Sequence, residues 1–211
     1  MNDDRHLTET TTQREELLKG HFLHVVRDTV RLPDGASATR EYVLHPGAVA
    51  VVPLLDDGRI VLERQYRHPT RSVMIEIPAG KRDAGEAPIV CGQRELLEET
   101  GYVAREWAYA FTMYPTVAYS DEAIEIWFAR GLTLKQAKLD EGEFLEVFAA
   151  TPEEFLGWVR DGKVHDSKTL AAALWLQNVL AGAWKLDWQP QSEGPAHPIF
   201  DDANVPKTAP G

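Results

Sequence analysis

The apolar run at residues 47–55, GAVAVVPLL, limits this chain most. It suits a strand buried on both faces, so packed layers must cover each side of it. Asp56-Asp57-Gly58 then turns the chain, and residues 59–67, RIVLERQYR, alternate. Ile60, Leu62 and Arg64 face one way, and Val61, Glu63 and Gln65 the other. Residues 22–32 and 38–44 flank the turn signal Pro33-Asp34-Gly35 and read as a hairpin. Further strands are expected at 72–77, 103–112, 123–132 and 144–150, with a polar loop at 133–143. Helices are expected at about 87–100, 152–160 and 166–182. Thr151-Pro152-Glu153-Glu154 is a strong helix start, and Asp166 or Ser167 would cap the last helix. Strands and helices do not alternate regularly, so the pattern is one mixed α/β domain and not a doubly wound sheet. Residues 1–14 read as disordered or loosely helical. The Pro-, Gly- and Ser-rich tail after Trp188 reads as mobile.

Charge and cysteine content exclude several functions. A formal charge of −11 disfavours nucleic-acid binding through a basic face. It leaves room for a phosphorylated ligand, because a metal can bridge anion to anion. Cys91 is the only cysteine, so neither an intrachain disulfide nor a cysteine zinc site can form, which fits a reducing cytoplasm. The N-terminal stretch MNDDRHLTETTTQREELLKG lacks the apolar core of a signal peptide. No apolar run approaches the ~18–20 residues of a membrane span.

The chemistry concentrates in residues 80–102, GKRDAGEAPIVCGQRELLEETGY. On its expected helix, Glu95 lies beside both Glu98 and Glu99, three and four residues on. Carboxylates that close repel unless a cation sits among them. Their hard oxygens suit Mg²⁺ or Mn²⁺. Most acidic helix faces are simply solvated, and here the flanking residues decide otherwise. The stretch reads G-x5-E-x7-R-E-L-x-E-E-x-G-Y, from Gly80 through Glu86, Arg94, Glu95, Leu96, Glu98 and Glu99 to Gly101 and Tyr102.

At every defined position this resembles the signature of the Nudix hydrolases. The resemblance implies an α/β fold, the Nudix α/β/α sandwich with a mixed sheet, here with an N-terminal β-hairpin extension. It implies hydrolysis of a nucleoside diphosphate linked to another group, with Mg²⁺ or Mn²⁺. Glu95, Glu98 and Glu99 become the expected metal ligands, joined by the backbone carbonyl of Ala79. Arg94 would hold a glutamate in place, and Glu86 would pair back to it. Gly101 reads as the helix C′ residue. Divalent ions at such a site neutralise the diphosphate and acidify a water, while a further carboxylate positions that water.

Flanking residues resemble the ADP-ribose pyrophosphatase branch across residues 20–183. They are Arg64-Gln65-Tyr66-Arg67, Glu76-Ile77-Pro78-Ala79-Gly80-Lys81, Tyr114-Pro115, Ser120-Asp121-Glu122, Asp140-Glu141-Gly142-Glu143 and GKVHDSKT at 162–169. The implied reaction is ADP-ribose plus water giving AMP and ribose 5-phosphate, with another NDP-sugar such as GDP-mannose as the alternative. A catalytically silent nucleotide-binding module is the alternative from another class. By this resemblance Glu141 is the first candidate base and Glu143 the second. Arg67 would contact the diphosphate, Glu76 the nucleotide, and Tyr66 or Tyr114 the adenine. Glu122, Arg40 and Glu41 complete the substrate set, the last two reaching a partner's site in a homodimer that exchanges N-terminal strands. The implied division is a flexible 1–20, a dimerising hairpin at 21–45, the hydrolase domain at 46–185 and a flexible 186–211. One departure concerns Thr116-Val117-Ala118-Tyr119, where the branch usually has Pro-Gly, and it leaves the leaving group open.

Overall fold

The computed structural model describes residues 4–135, 137, 139, 142 and 144–191. The strands are β1 (Thr10–Lys19), β2 (His24–Arg31), β3 (Ser37–Leu44), β4 (Ala48–Leu54), β5 (Ile60–Arg67), β6 (Ser72–Glu76) and β7 (Ala79–Lys81). Beyond them come β8 (Tyr102–Val103), β9 (Glu106–Met113), β10 (Ile124–Arg130), β11 (Thr133–Leu134), β12 (Leu145–Ala150) and β13 (Gln189–Pro190). The helices are α1 (Pro88–Thr100), α2 (Pro152–Arg160) and α3 (Ser167–Leu180).

The main sheet runs β12-β5-β4-β10-β9-β13, with β6 added on β5 and β7 on β4. It is mixed: β4 and β10 are parallel, and β9 lies antiparallel to β10. The apolar run at 47–55 is the central strand β4, with Ala48 to Val52 all buried. Its alternate residues feed two cores. Val49 and Val51 pack with Ile89, Cys91 and Leu96 of α1. Ala48, Ala50 and Val52 pack with Phe155 of α2 and with Ala172, Ala173 and Leu176 of α3. Helices therefore cover both faces of the sheet, which is an α/β/α sandwich. α2 carries the full capping box expected from Thr151 and Glu154.

Two sequence expectations need correction. The expected hairpin is present as β2-β3, but residues 10–19 add a third, outer strand β1 to it rather than forming a flexible segment. Every residue of β1 is exposed, so no burial pattern marks it in the sequence. Cross-strand charges hold it instead: Arg14 forks onto Asp28 at 2.7 and 2.8 Å, Arg27 meets Glu15, and His24 meets Glu16. The Arg14 guanidinium holds the Asp28 carboxyl below the usual range against the opposing effect of burial. At the other end, residues 186–191 are docked. Leu186 and Trp188 pack on the core, Arg130 lies over the Trp188 ring, and β13 pairs with β9. No helix among the described residues is long and apolar enough to cross a membrane.

Candidate active site

The segment 76–81 crosses from one ladder of the sheet to another and is held at almost every residue. The Ile77 N–H donates to Thr169 Oγ1 at 3.0 Å, and the Pro78 carbonyl accepts from Val51 N–H at 2.9 Å. The Ala79 N–H donates to Glu99 Oε2 at 2.9 Å. Gly80 sits directly under Glu95. A Cβ there would overlap Cδ and both carboxylate oxygens of that glutamate, so the position admits only glycine with Glu95 where it stands. β7 thus lies against α1, and the two carry the site together.

α1 places its charges as the spacing predicts. Leu96 is fully buried, Glu99 is buried with its carboxylate on the Ala79 N–H, Glu95 lies over Gly80, and Glu98 turns to Arg94. Arg94 bonds three carboxylates at once. It forks onto Glu86 with two contacts of 2.9 Å, and its Nη1 meets Glu95 at 2.7 Å and Glu98 at 3.0 Å. Nη2 also reaches the Lys81 carbonyl at 3.1 Å. Glu86 is fixed further by the Asp83 N–H at 3.0 Å. The Arg94 fork therefore holds the Glu86 carboxyl below its usual range, and Glu86 in turn raises Arg94. Cys91 is buried with its Sγ 3.7 Å from the Gly80 carbonyl, and burial pushes its thiol up. It is a packed residue. Gly101 ends α1 with φ 76°, and its N–H returns to the Leu97 carbonyl.

Three carboxylates on one guanidinium leave local negative charge in excess, and all the donors are hard oxygens. Such a set fits a divalent ion. Among the described residues, no three acidic, His or Cys side chains already stand in a ready-made cage; Glu86, Glu95 and Glu98 are each bonded to Arg94.

A second charged group lies behind β6. Arg67 forks onto Glu76 at 2.7 and 2.8 Å, and Lys168 bonds the same carboxylate from α3. Burial alone would raise the Glu76 carboxyl. Arg67 and Lys168 outweigh burial and hold it below the usual range. Arg67 keeps a partly exposed guanidinium beside this pair.

Other residues expected from sequence are more dispersed. Arg40 bonds Glu9 and the Thr39 carbonyl, and Glu41 pairs with Arg27, so both are engaged in the N-terminal sheet. Tyr114 is exposed at the head of the loop before β10, and Glu122 lies 3.7 Å from His45. That loop is tied to the N-terminal sheet, since Val43 exchanges backbone bonds with Tyr119 and Asp121. Glu141 and Glu143, the expected bases, lie outside the described residues. Sequence reasoning singled out the segment 162–169 that ends in Lys168 and Thr169 but assigned neither residue a role. The available signal was a lysine in the first turn of a helix, where the dipole disfavours a cation unless an acid awaits it.

Comparison with known proteins agrees with this geometry. The family model described as "NUDIX domain" matches residues 44–173. A second, "Nucleoside diphosphate sugar hydrolase N-terminal domain", matches residues 9–43. The chain is 40% identical over 173 residues to the methanol dehydrogenase activator of Bacillus methanolicus, an alignment spanning 80% of this chain and 92% of that protein. It is 39% identical over 173 residues to the ADP-ribose pyrophosphatase of Bacillus subtilis strain 168, spanning 81% and 94%. A crystal structure described as an ADP compounds hydrolase superposes with a TM-score of 0.73 at 23% identity, covering 82% of this chain and 95% of that one. The last is a likeness of fold alone. With an Arg94-centred cluster of glutamates on a helix packed against Gly80, and a domain match over residues 44–173, this chain belongs to the Nudix family.

Proposed function

We propose that this protein hydrolyses the diphosphate bond of ADP-ribose, giving AMP and ribose 5-phosphate, with Mg²⁺ or Mn²⁺. The observation that carries the reading is the seating of Glu95 over Gly80 while Glu99 takes the Ala79 N–H. This brings the backbone of β7 and the acidic turn of α1 to one place. Glu95, Glu98, Glu99 and the Ala79 carbonyl would hold the ion. When bound, a divalent cation neutralises diphosphate charge and makes a nearby water more acidic. Arg94 keeps Glu95 and Glu98 oriented and limits their mutual repulsion. Glu99 is oriented by its backbone donor. Arg67, half-exposed at the edge of β5, supplies a guanidinium for phosphate oxygens. A glutamate at 141 or 143 serves as the base.

The B. subtilis relative supports ADP-ribose as the substrate. Val117 supports testing a wider set, since it is 79% exposed in a loop that departs from the branch pattern. Phosphate release from a panel of ADP-ribose, other ADP-sugars and GDP-mannose, with phosphatase added, is the test. Preference for ADP-ribose supports the reading. Preference for GDP-mannose replaces it with the NDP-sugar alternative, and no turnover of any member overturns it. The protein is further proposed to be a cytoplasmic homodimer exchanging its N-terminal strands. The support is the wholly exposed β1, together with Leu18, Phe22 and Leu23 left open in the single chain.

A further inference from the structure

The first turn of α3 reaches under the segment that carries the proposed metal site. Asp166 caps the helix, accepting the Thr169 N–H at 2.9 Å and the Thr169 hydroxyl at 2.6 Å. The Thr169 oxygen is then turned to accept from the Ile77 N–H at 3.0 Å. Ile77 needs this partner. It is fully buried and falls between the end of β6 and the start of β7, where no ladder serves it. Thr169 is itself fully buried. Lys168 is 6% exposed and bonds Glu76 and Asp166. Burying a lysine is costly, and more so in a first turn, unless the charge is paired. Its position is accounted for by what it holds.

The held segment leads straight to the site. Two residues past Ile77 is Ala79, whose N–H orients Glu99, and next is Gly80, on which Glu95 rests. Val51 fixes Pro78 between them. Resting on the metal reading above, we infer that Thr169 and Lys168 are positioning residues for the diphosphate chemistry. From the opposite face of the sheet they fix residues 76–80, so that β7 and the glutamates of α1 meet in register. They act through the Ile77–Gly80 backbone and through Glu76, without touching the substrate.

The test uses full-length protein and two readouts: Mn²⁺ affinity by electron paramagnetic resonance, and kcat and KM on ADP-ribose. Loss of an outer-shell partner typically costs about 10–100-fold in metal affinity or activity. Thr169→Val removes the hydroxyl at similar volume and should weaken Mn²⁺ binding and lower kcat by about tenfold or more, with KM unchanged. Thr169→Ser should restore both, and Lys168→Met should show the same loss. Thr151→Ala is the control for stability alone. It removes a cap from α2, lowers Tm, and should leave both readouts unchanged. Should Thr169→Val fail to fold, Lys168→Met carries the test. Wild-type Mn²⁺ affinity and kcat in the folded variant would overturn the inference, as would an equal loss in Thr151→Ala. A wild-type protein that binds no Mn²⁺ would instead overturn the metal reading on which it rests.

Discussion

Gly80 and Glu95 occupy one another's space: the glutamate carboxylate lies where a side chain on residue 80 would begin. Gly80→Ala must therefore push that carboxylate aside. Glu95 is flexible at its far end, so the fold tolerates the move while the site does not. The expected result is a Tm close to wild type, with Mn²⁺ affinity and kcat reduced by about tenfold or more. Thermal melts alongside metal titration separate the two effects.

Glu99→Gln should behave differently. A glutamine oxygen can still accept from the Ala79 N–H, while one negative charge leaves a crowded group. We expect kcat to fall by roughly two orders of magnitude or more, with Tm unchanged or higher. Retained activity in steady-state assays would remove Glu99 from the metal set.

Arg94→Gln should be the most destabilising change at the site. It strips the shared cation from Glu86, Glu95 and Glu98, all partly buried. Breaking such a network costs about 3 kcal/mol, a shift of about 2–4 °C in Tm for each kcal/mol in a chain this size. Urea unfolding with and without Mn²⁺ is the measurement. An unchanged midpoint would mean that Arg94 does no structural work.

Glu76 predicts a pH dependence. Its folded-state pKa lies below its unfolded value, because Arg67 and Lys168 outweigh burial. In the window below about pH 4.3, the unfolded state binds more protons, so stability rises with pH through it. The contribution is full above that window and is lost as pH falls towards the depressed folded-state value. Glu76→Gln should be markedly less stable than wild type at neutral pH, and the gap should narrow in acid. A gap that stays constant in urea melts from pH 7 to 3 would contradict this.

The N-terminal sheet predicts association. Sedimentation should give a dimer, and a chain lacking residues 1–19 should lose both the dimer and activity. An active monomer would end the strand-exchange proposal.

The sequence showed the parts whose chemistry or burial leaves a local trace. The α1 glutamates were legible because their spacing puts like charges side by side. β4 was legible because both its faces are buried. β1 was not, because a strand exposed on both faces and joined by charge pairs shows no period. β7 was not, because Ala79–Lys81 is a strand only by capture on β4 after Pro78 ends its predecessor. Lys168 was hidden for a related reason: its partner Glu76 is distant in sequence and adjacent only across two elements.

The parallel pairing of Ala48 with Ile124 sets the order in which this molecule can become competent. All of residues 49–123 lies between those partners, including the whole Gly80–Tyr102 signature. Long-range parallel contacts carry a large loop-closure entropy and form late. A nascent chain that has finished the signature holds the α1 glutamates and strands β4 to β7, but not β10, which closes the other side of β4. Catalytic capacity on the ribosome or after dilution from denaturant is expected to follow the arrival of β10, however early the α1 helix appears.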